Sequence, residues 1–215
     1  MDKLLLGMEA LDFLKNEGFP VLRSIIAKSP GQALTNAEMI GYPVVLKISS
    51  KKVIHKTEIG GVKTQIINDV GLMNAFDELI EKFVSSFDRE YLEGVIVQES
   101  GKGLEFIVGV YEDKQFGPVI MLGHGGIHVE ALNDVSFRLL PIRKRDARLM
   151  IEDLLISKVL FSSRQDEIDA LLIEEFLIKV SNLVEKNPKI KEMDLNPVFV
   201  SKEIKICDAR IRLSI

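Results

Sequence analysis

The sequence has one cysteine, Cys207, and no tryptophan among its 215 residues. A single cysteine supports neither a disulfide framework nor a cysteine-based zinc site. Hydrophobic runs are short, as in Pro118–Leu122, whereas a membrane helix needs about 20 consecutive apolar residues. These absences argue against disulfide-rich secreted domains, cysteine-ligated zinc domains and helical membrane proteins.

An excess of positive charge is also missing. The 28 Lys and Arg residues face 32 Asp and Glu residues, for a net charge of −4, which argues against a general nucleic-acid binder. The apolar residues Leu4–Leu6 are soon followed by Glu9 and Asp12, and no small-residue cleavage site follows them. We therefore expect an amphipathic first helix and a cytoplasmic protein that binds neither nucleic acid nor membrane.

Hydrophobic periodicity predicts helices and strands that intermix without a regular βαβ alternation. The predicted helices cover residues 4–16, 30–40, 70–87, 146–156 and 166–186. The predicted strands cover residues 24–28, 44–48, 62–67, 94–98, 104–111, 119–122, 192–200 and 204–211. This order predicts an α+β fold with antiparallel pairing rather than a doubly wound parallel sheet.

The common phosphate-binding motifs are absent. The one Gly-Lys pair, Gly101-Lys102, is followed by Gly103 rather than by Ser or Thr, so there is no P-loop. After Gly123 and Gly125, the third glycine of a dinucleotide fingerprint would fall on His128. A nucleotide would therefore need another scaffold.

Lys47 interrupts the otherwise apolar run Val44–Ile48. Burying a lysine without a partner costs several kcal/mol. One interpretation is an edge strand from which the ammonium group reaches water. The other is a cleft-facing ammonium group that meets a phosphate.

His55 lies in a polar segment, residues 49–61, that ends in Gly60-Gly61. A histidine in such a loop is either simply solvated or a nucleophile, because neutral imidazole can accept a phosphoryl group. Nearby cations would steady the added negative charge; they are Lys51, Lys52, Lys56 and Lys63.

Three glycines, Gly123, Gly125 and Gly126, follow a predicted strand. Glycine lets a backbone approach a ligand closely, and successive free N–H groups form an anion-binding nest. Tight turns use glycine in the same way, so both interpretations stay open.

The closing strands carry a polar pattern at period two. Glu192, Asp194 and Asn196 project to one face of a strand, and Asp208 approaches that face if the two closing strands pair. An amide oxygen and a carboxylate form a partial shell for Mg²⁺, which takes its remaining ligands from water and phosphates. A solvated polar sheet face is the alternative.

Taken together, these segments resemble a known family. GYPVVLKISS, IHKTEIGGVKT, the block GVIVQES to LGHGGIHVE, EMDLNPVFV and CDARI occur in a fixed order over essentially the whole chain. That order resembles the ATP-grasp module of the nucleoside-diphosphate-forming acyl-CoA synthetases. Within them it is similar to the β subunits of ADP-forming acetate–CoA ligases, relatives of the succinyl-CoA synthetase β subunit.

The resemblance implies an ATP-grasp fold in which two subdomains clamp the adenine nucleotide between antiparallel sheets. The first, lid-like subdomain would hold residues 21–98, and the second, with the metal site, residues 1–20 and 99–215. The implied nucleotide-binding residues are Lys47 and Lys63 near the phosphates, Gln98, Glu99 and Ser100 at the adenine hinge, Glu105 near the ribose, and Gly125 and Gly126.

The resemblance also implies the chemistry. Asn196 and Asp208 match the Mg²⁺ ligands, His55 matches the histidine that carries phosphate on a mobile loop, and Asp194 matches the carboxylate that orients it. The implied reaction is acyl-CoA + ADP + phosphate ⇌ acid + ATP + CoA. The chain would need an α subunit with a CoA-binding domain, in an α2β2 heterotetramer.

Two other functions stay open beside this one: an ATP-dependent carboxylate–amine ligase, and a non-catalytic nucleotide-binding regulatory subunit. The glycine-ended segment around His55 argues against the first, and the complete set of nucleotide and metal residues against the second. The sequence departs from the family at Lys51-Lys52, where Pro-Asp is usual, and at His124 and His128, where apolar residues are common. We interpret these two histidines as ordinary loop residues.

Overall fold

The computed structural model describes residues 2–50, 52–53, 59–125, 134–157 and 170–214. The chain divides into two compact units, a smaller one of Leu22–Ser100 and a larger one of Met1–Val21 with Gly101–Ile215. The predicted subdomain 21–98 starts one residue earlier and ends two residues earlier than the smaller unit.

The described residues form eleven strands and five helices, with one 3₁₀ turn at Arg89–Tyr91. The strands are β1 (Asp2–Leu6), β2 (Ser24–Ala27), β3 (Val44–Ser49), β4 (Val62–Ile66), β5 (Gly94–Glu99), β6 (Leu104–Asp113), β7 (Gly117–His124), β8 (Val135–Leu139), β9 (Ile190–Val200), β10 (Ile204–Ile206) and β11 (Ala209–Ser214). The helices are α1 (Met8–Asn16), α2 (Pro30–Ile40), α3 (Asp69–Ser86), α4 (Lys144–Asp153) and α5 (Ala170–Lys186).

The smaller unit is a four-stranded antiparallel sheet in the order β2-β5-β3-β4, with α2 and α3 packed on one face. Helix α2 begins after Ser29, whose side chain accepts a hydrogen bond from the Gln32 amide, and it ends at Gly41, where φ is 92°. Along β3, alternate residues point into the apolar core under the helices; they are Val44, Leu46 and Ile48. The opposite face therefore carries Lys47.

The larger unit is a seven-stranded antiparallel sheet in the order β1-β11-β9-β6-β7-β8, with β10 added to β9. Its core lies between one face of this sheet and helices α1, α4 and α5. Core residues alternate along β6 as Phe106, Val108 and Val110, each at most 2% exposed. The α+β class and the antiparallel pairing are thus confirmed.

Three elements differ from the sequence predictions. Residues 2–6 are strand β1 and not the start of a helix, because Leu5 pairs with Ile211 of β11 and Gly7, with φ of 52°, breaks the chain direction before α1. Strand β8 was not predicted. The strand predicted over 204–211 is two strands, β10 and β11, interrupted at Cys207 and Asp208.

Within the described part of the chain, none of the helices combines the length and the apolar character that crossing a bilayer requires.

Candidate functional site

Strand β9 changes phase in its middle. Before this point Met193 and Leu195 face the core. Leu195 pairs with Val108 of β6, but Val198 pairs with Phe106, so two steps along β6 match three along β9. This is a β-bulge, in which one extra residue is inserted into one strand of a pair.

The extra residue lies at Asn196–Pro197, at the predicted metal site. Asn196 is exposed, and its backbone N–H donates to the carbonyl oxygen of Asp208 at 3.1 Å. On the adjacent residues, the Cys207 N–H donates to the Pro197 carbonyl oxygen at 2.9 Å. The structure therefore brings together Asn196 of β9 and Asp208, which lies in the break between β10 and β11.

The donors offered by this pair suit a hard divalent cation. An amide oxygen of Asn196 and a carboxylate of Asp208 are oxygen ligands of the kind that Mg²⁺ takes, with water and phosphate completing the shell. Among the described residues there is no group of three or more His, Cys, Asp or Glu side chains that could hold a metal by themselves. Mg²⁺ binding by Asn196 and Asp208 stays a prediction.

Asp194 lies on the face of the larger sheet opposite the one on which α1, α4 and α5 pack. Burial raises the pKa of its carboxyl group, and the negative charges of Asp208 and Glu192 add to this rise, while Arg210 opposes it. Across the strands Asp194 is directly opposite Gly109 of β6 on one side and Arg210 of β11 on the other. The predicted site thus contains a cation that the sequence analysis missed.

Arg210 could have been found from the sequence. It follows Asp208 by two residues at the start of a strand, and residues two apart in a strand share a face. The same face carries Glu192, which accepts a hydrogen bond from Arg210 Nη2 at 3.1 Å. The spacing of Asp208 and Arg210 therefore predicts a cation beside the carboxylates of this face.

Glu105 and Gly125, both predicted near the nucleotide, are in contact within the larger unit. The Gly125 N–H donates to the Glu105 carbonyl oxygen at 2.6 Å. A Cβ atom at position 125 would lie 2.7 Å from the Glu105 Cβ and 2.8 Å from its carbonyl oxygen, so only glycine allows this approach. This glycine is therefore needed for a close backbone contact beside Glu105, whether or not the segment also binds an anion.

Lys47 occupies a central strand of the smaller unit. Strand β3 is paired on both sides, with Lys47 opposite Ile96 of β5 and Val62 of β4. The edge-strand interpretation is therefore wrong. Lys47 is only 8% exposed, and it points to the sheet face opposite the helices, as a lysine that meets a phosphate would require.

The predicted hinge residues lie at the end of β5, where the chain leaves the smaller unit. Gln98 is buried, and its Nε2 donates to Ser24 Oγ at 2.8 Å. The backbones of Glu99 and Arg23 are joined by a hydrogen bond from the Glu99 N–H at 2.8 Å, and Glu99 Oε2 accepts from the Arg23 N–H at 3.2 Å. Ser100 is half-buried and is the last residue of the smaller unit. Adenine recognition here stays a prediction.

Other predicted residues are placed differently. Lys63 forms an ion pair with Glu78 of α3, and this contact lowers the pKa of Glu78, so a role for Lys63 at the nucleotide stays a prediction. His124 is in strand β7 and not in a loop, and its ring lies edge-on to Phe106 at 6.0 Å. Residues outside the described part are His55, Gly126 and His128, together with Lys51 and Lys56.

The chain is similar to known proteins over nearly its whole length. A model of the ATP-grasp domain family matches residues 1–213. The chain is 39% identical over 208 residues to the β subunit of acetate–CoA ligase [ADP-forming] I of Pyrococcus furiosus, covering 95% of this chain and 90% of that one. It is 39% identical over 214 residues to 4-hydroxybutyrate–CoA ligase [ADP-forming] of Nitrosopumilus maritimus, covering 97% of this chain but only 31% of that protein.

Solved structures give the same result. The dinucleotide-forming acetyl-coenzyme A synthetase 1 of Korarchaeum cryptofilum, in complex with coenzyme A, Ca-AMPCP and HgCl⁺, matches with a TM-score of 0.90 and 40% identity, over 99% of this chain and 94% of that one. The same enzyme with coenzyme A and Mg-AMPPCP, its phosphohistidine segment pointing towards the nucleotide binding site, matches with a TM-score of 0.82 and 37% identity, over 99% and 93%. The chain belongs to the ATP-grasp domain family, and its relatives in that family include β subunits of ADP-forming acetate–CoA ligases.

Proposed function

We propose that this chain is the nucleotide-binding β subunit of an ADP-forming acyl-CoA synthetase, with the overall reaction acyl-CoA + ADP + phosphate ⇌ acid + ATP + CoA. The observation that carries the proposal is the group formed by Asn196, Asp208 and Asp194 around one bulge of the larger sheet. The family relationship supplies the reaction, and the oxygen donors of this group suit a nucleotide–metal complex.

In this proposal, different residues of the chain bind the nucleotide and the metal ion. Lys47 binds the phosphates of the nucleotide, and Gln98, Glu99 and Ser100 hold the adenine edge. Asn196 and Asp208 hold Mg²⁺, which when bound neutralises charge on the transferring phosphoryl group. Catalysis of phosphoryl transfer consists mainly of positioning and electrostatic stabilisation, so these roles are sufficient for the nucleotide half of the reaction.

We assign His55 as the carrier of the phosphoryl group and Asp194 as its orienting carboxylate. A carboxylate that accepts the free N–H of an imidazole fixes the ring in one tautomer and orientation. Support comes from the Korarchaeum cryptofilum enzyme, whose phosphohistidine segment points towards the nucleotide binding site. A carrier is physically required if the thioester is cleaved at a distant site, since transfer needs the reacting atoms within about 3–3.5 Å.

The partner would be an α subunit with a CoA-binding domain, in an α2β2 heterotetramer. The relatives support this in two ways. The chain covers 90% of a protein that is itself a β subunit, and it spans less than a third of the length of single-chain ligases such as that of Nitrosopumilus maritimus. In those ligases the remaining length would correspond to the partner.

The deciding experiment is labelling with γ-³²P ATP and Mg²⁺. We expect an acid-labile, base-stable label on this chain, and we expect His55→Ala to abolish both the label and ATP formation from acetyl-CoA, ADP and phosphate in the presence of the partner. His124→Ala is the matched control, because this imidazole lies against Phe106 in a strand and is expected to keep the label.

Three results would overturn the proposal or its carrier step. If His55→Ala still makes ATP at the wild-type rate, direct transfer from the partner replaces the carrier. If ATP is bound but no histidine is ever labelled, while an added amine and carboxylate are joined, the chain is a carboxylate–amine ligase. Nucleotide binding with neither activity would indicate a regulatory subunit.

A further inference from the structure

Arg210 is the positive member of a row of residues that crosses the larger sheet on the face opposite its core. In the register of the strands, Gly109 of β6, Asp194 of β9 and Arg210 of β11 are directly opposite one another. Because Gly109 has no side chain, Asp194 has a neighbouring side chain in this row on the Arg210 side only. The Arg210 side chain is 37% exposed, so it is partly accessible to a ligand.

A chain of ion pairs holds this guanidinium group in place. Arg210 Nη2 donates to Glu192 Oε1 at 3.1 Å, and the other oxygen of Glu192 accepts from Arg212 Nε at 3.0 Å. Arg212 Nη1 in turn donates to Asp2 Oδ2 at 3.1 Å. Glu192 is thus fixed from two sides, and it anchors Arg210 by one edge.

Arg210 and Arg212 differ in how many of their N–H donors are already used. Arg212 uses two of its nitrogens, for Glu192 and for Asp2. In the part of the chain that the structure describes, Arg210 makes a single hydrogen bond, to Glu192. Since a guanidinium group has five N–H donors, Arg210 retains most of its donors, whereas Arg212 is held between two carboxylates.

The charges on this face explain why such a cation is needed. The negative charges of Asp208 and Glu192 act on Asp194, and the positive charge of Arg210 opposes them. A phosphoryl group carries a charge of about −1.5 to −2 at neutral pH. With Mg²⁺ held by Asp208, the carboxylates of Glu192 and Asp194 still oppose the approach of this group, and the guanidinium fork of Arg210 offsets their charge and matches phosphate oxygens in geometry.

We propose that Arg210 is a catalytic residue that contacts the phosphoryl group while it moves between His55 and the nucleotide. This inference rests on the proposed function. In the step, the P–N bond breaks and its electron pair stays on the ring nitrogen, while a β-phosphate oxygen of ADP forms the new P–O bond. The other ring nitrogen keeps its proton, shared with Asp194, so phosphohistidine of charge −1 and ADP of charge −3 give neutral imidazole and ATP of charge −4.

The test is the exchange of label between ADP and ATP, which requires only the steps assigned to this chain and the Mg²⁺–nucleotide complex. We expect Arg210→Gln to lower the exchange rate constant by about 100-fold or more, as the loss of one transition-state donor does. The affinity for Mg·ADP should change by less than about threefold, because the contact is made to the transferring group. Arg212→Gln, which loses a partner of the same Glu192, should lower exchange by less than about threefold.

Each outcome decides one question. If Arg210→Gln and Arg212→Gln lower exchange equally, Arg210 serves only the ion-pair chain and the inference is overturned. The proposed function still stands in that case, provided that the wild-type chain exchanges label. If the wild-type chain binds Mg·ADP but neither exchanges nor takes up label, with or without the partner, the proposed function fails and the inference with it. If Arg210→Gln does not fold, Arg210→Lys is the variant to test, because lysine keeps the charge but not the guanidinium fork. We expect its exchange rate constant to fall by about tenfold. Exchange at the wild-type rate in Arg210→Lys would contradict the inference.

Discussion

The backbone N–H of Asn196 lies 3.1 Å from the carbonyl oxygen of Asp208, and this main-chain hydrogen bond fixes the separation of the two residues. Because the bond involves no side-chain atom, replacing either side chain leaves the backbone geometry in place. The pair is therefore well suited to mutational tests, since a loss of binding can be assigned to the missing oxygen ligand.

We predict that Asn196→Ala and Asp208→Ala each weaken Mg·ADP binding by about tenfold or more, which corresponds to about 1.4 kcal/mol. Each change removes one oxygen ligand from a partial Mg²⁺ shell. Isothermal titration calorimetry with ADP, at saturating Mg²⁺ and again in EDTA, measures the effect, and the variants should resemble the wild type in EDTA.

Glu203→Ala is the control, because Glu203 is an exposed carboxylate between β9 and β10 that pairs with Lys205. We expect its Mg·ADP affinity to equal that of the wild type. The same Mg²⁺-dependent affinity in all three variants would exclude the metal assignment.

For Lys47 we predict a dependence on the number of phosphates. Lys47→Met keeps the length of a side chain that is only 8% exposed, and it removes the ammonium group. Affinity should fall by about tenfold or more for ATP and ADP, and should stay unchanged for adenosine, because a hydrogen bond from a charged group contributes about 1.5–3 kcal/mol only where a phosphate is present. Calorimetric titration with the three ligands gives the comparison.

Lys82→Met serves as the matched lysine variant, since Lys82 lies on α3, whose core residues pack on the other side of this sheet. It should leave all three affinities unchanged. Equal losses for ATP and adenosine in Lys47→Met would mean that Lys47 supports the fold and does not bind phosphate.

Gly125→Ala should destabilise the larger unit. The added Cβ would meet the Cβ and carbonyl oxygen of Glu105 at 2.7 and 2.8 Å, so backbone must move on one side. Overpacking of this kind costs about 1–3 kcal/mol, measurable by urea unfolding. Gly31→Ala in α2 meets no atom within 4 Å and should be neutral or slightly stabilising; the reverse order of the two effects would contradict the described contact.

Asp153 gives a prediction for pH. The hydrogen bond from Arg138 Nη2 at 2.7 Å, with that from Ser136 Oγ at 2.8 Å, lowers the pKa of Asp153 in the folded state. A carboxyl group with a lowered folded-state pKa stabilises the fold above its unfolded pKa of about 3.9, and the contribution is lost as the pH falls through the folded value.

Asp153→Asn should therefore reduce the free energy of unfolding at neutral pH by at most about 1 kcal/mol, because the carboxylate is partly exposed. In urea unfolding, the difference from wild type should shrink steadily as the pH falls below the unfolded pKa of about 3.9. Glu152→Gln, which removes an exposed pair with Arg148 on the same helix, should have a smaller effect. A difference that persists at low pH would assign the stability of Asp153 to packing.

Much of the fold was accessible from the sequence because local signals and tertiary packing agree. Helix α2 is confirmed over 30–40, where Ser29 and Pro30 start it and Gly41 ends it. The first residues show the opposite case. Their helical spacing is real, but Leu5 gains more by pairing with Ile211 at the far end of the chain, a contact that no local pattern contains.

For the site, alternation along the closing strands correctly brings Asp208 next to Asn196. It could not decide the surroundings of Lys47, since the difference between an edge and a central strand depends on the order of β2, β5, β3 and β4 in the sheet. Strand order is a property of long-range pairing, and for the same reason the ion pairs from Arg210 through Glu192 to Asp2 were not foreseen.

Because of the bulge at Asn196–Pro197, which side chains of β9 face the core depends on the number of residues in the strand. Val198 and Val200 point inward only because one residue is added before them. A deletion at this point would turn both valines outward and Phe199 inward, exchanging the two sides of the strand over its second half. We therefore expect the fold of β9 to tolerate new side chains on the face opposite the core far more readily than any change in the length of the strand.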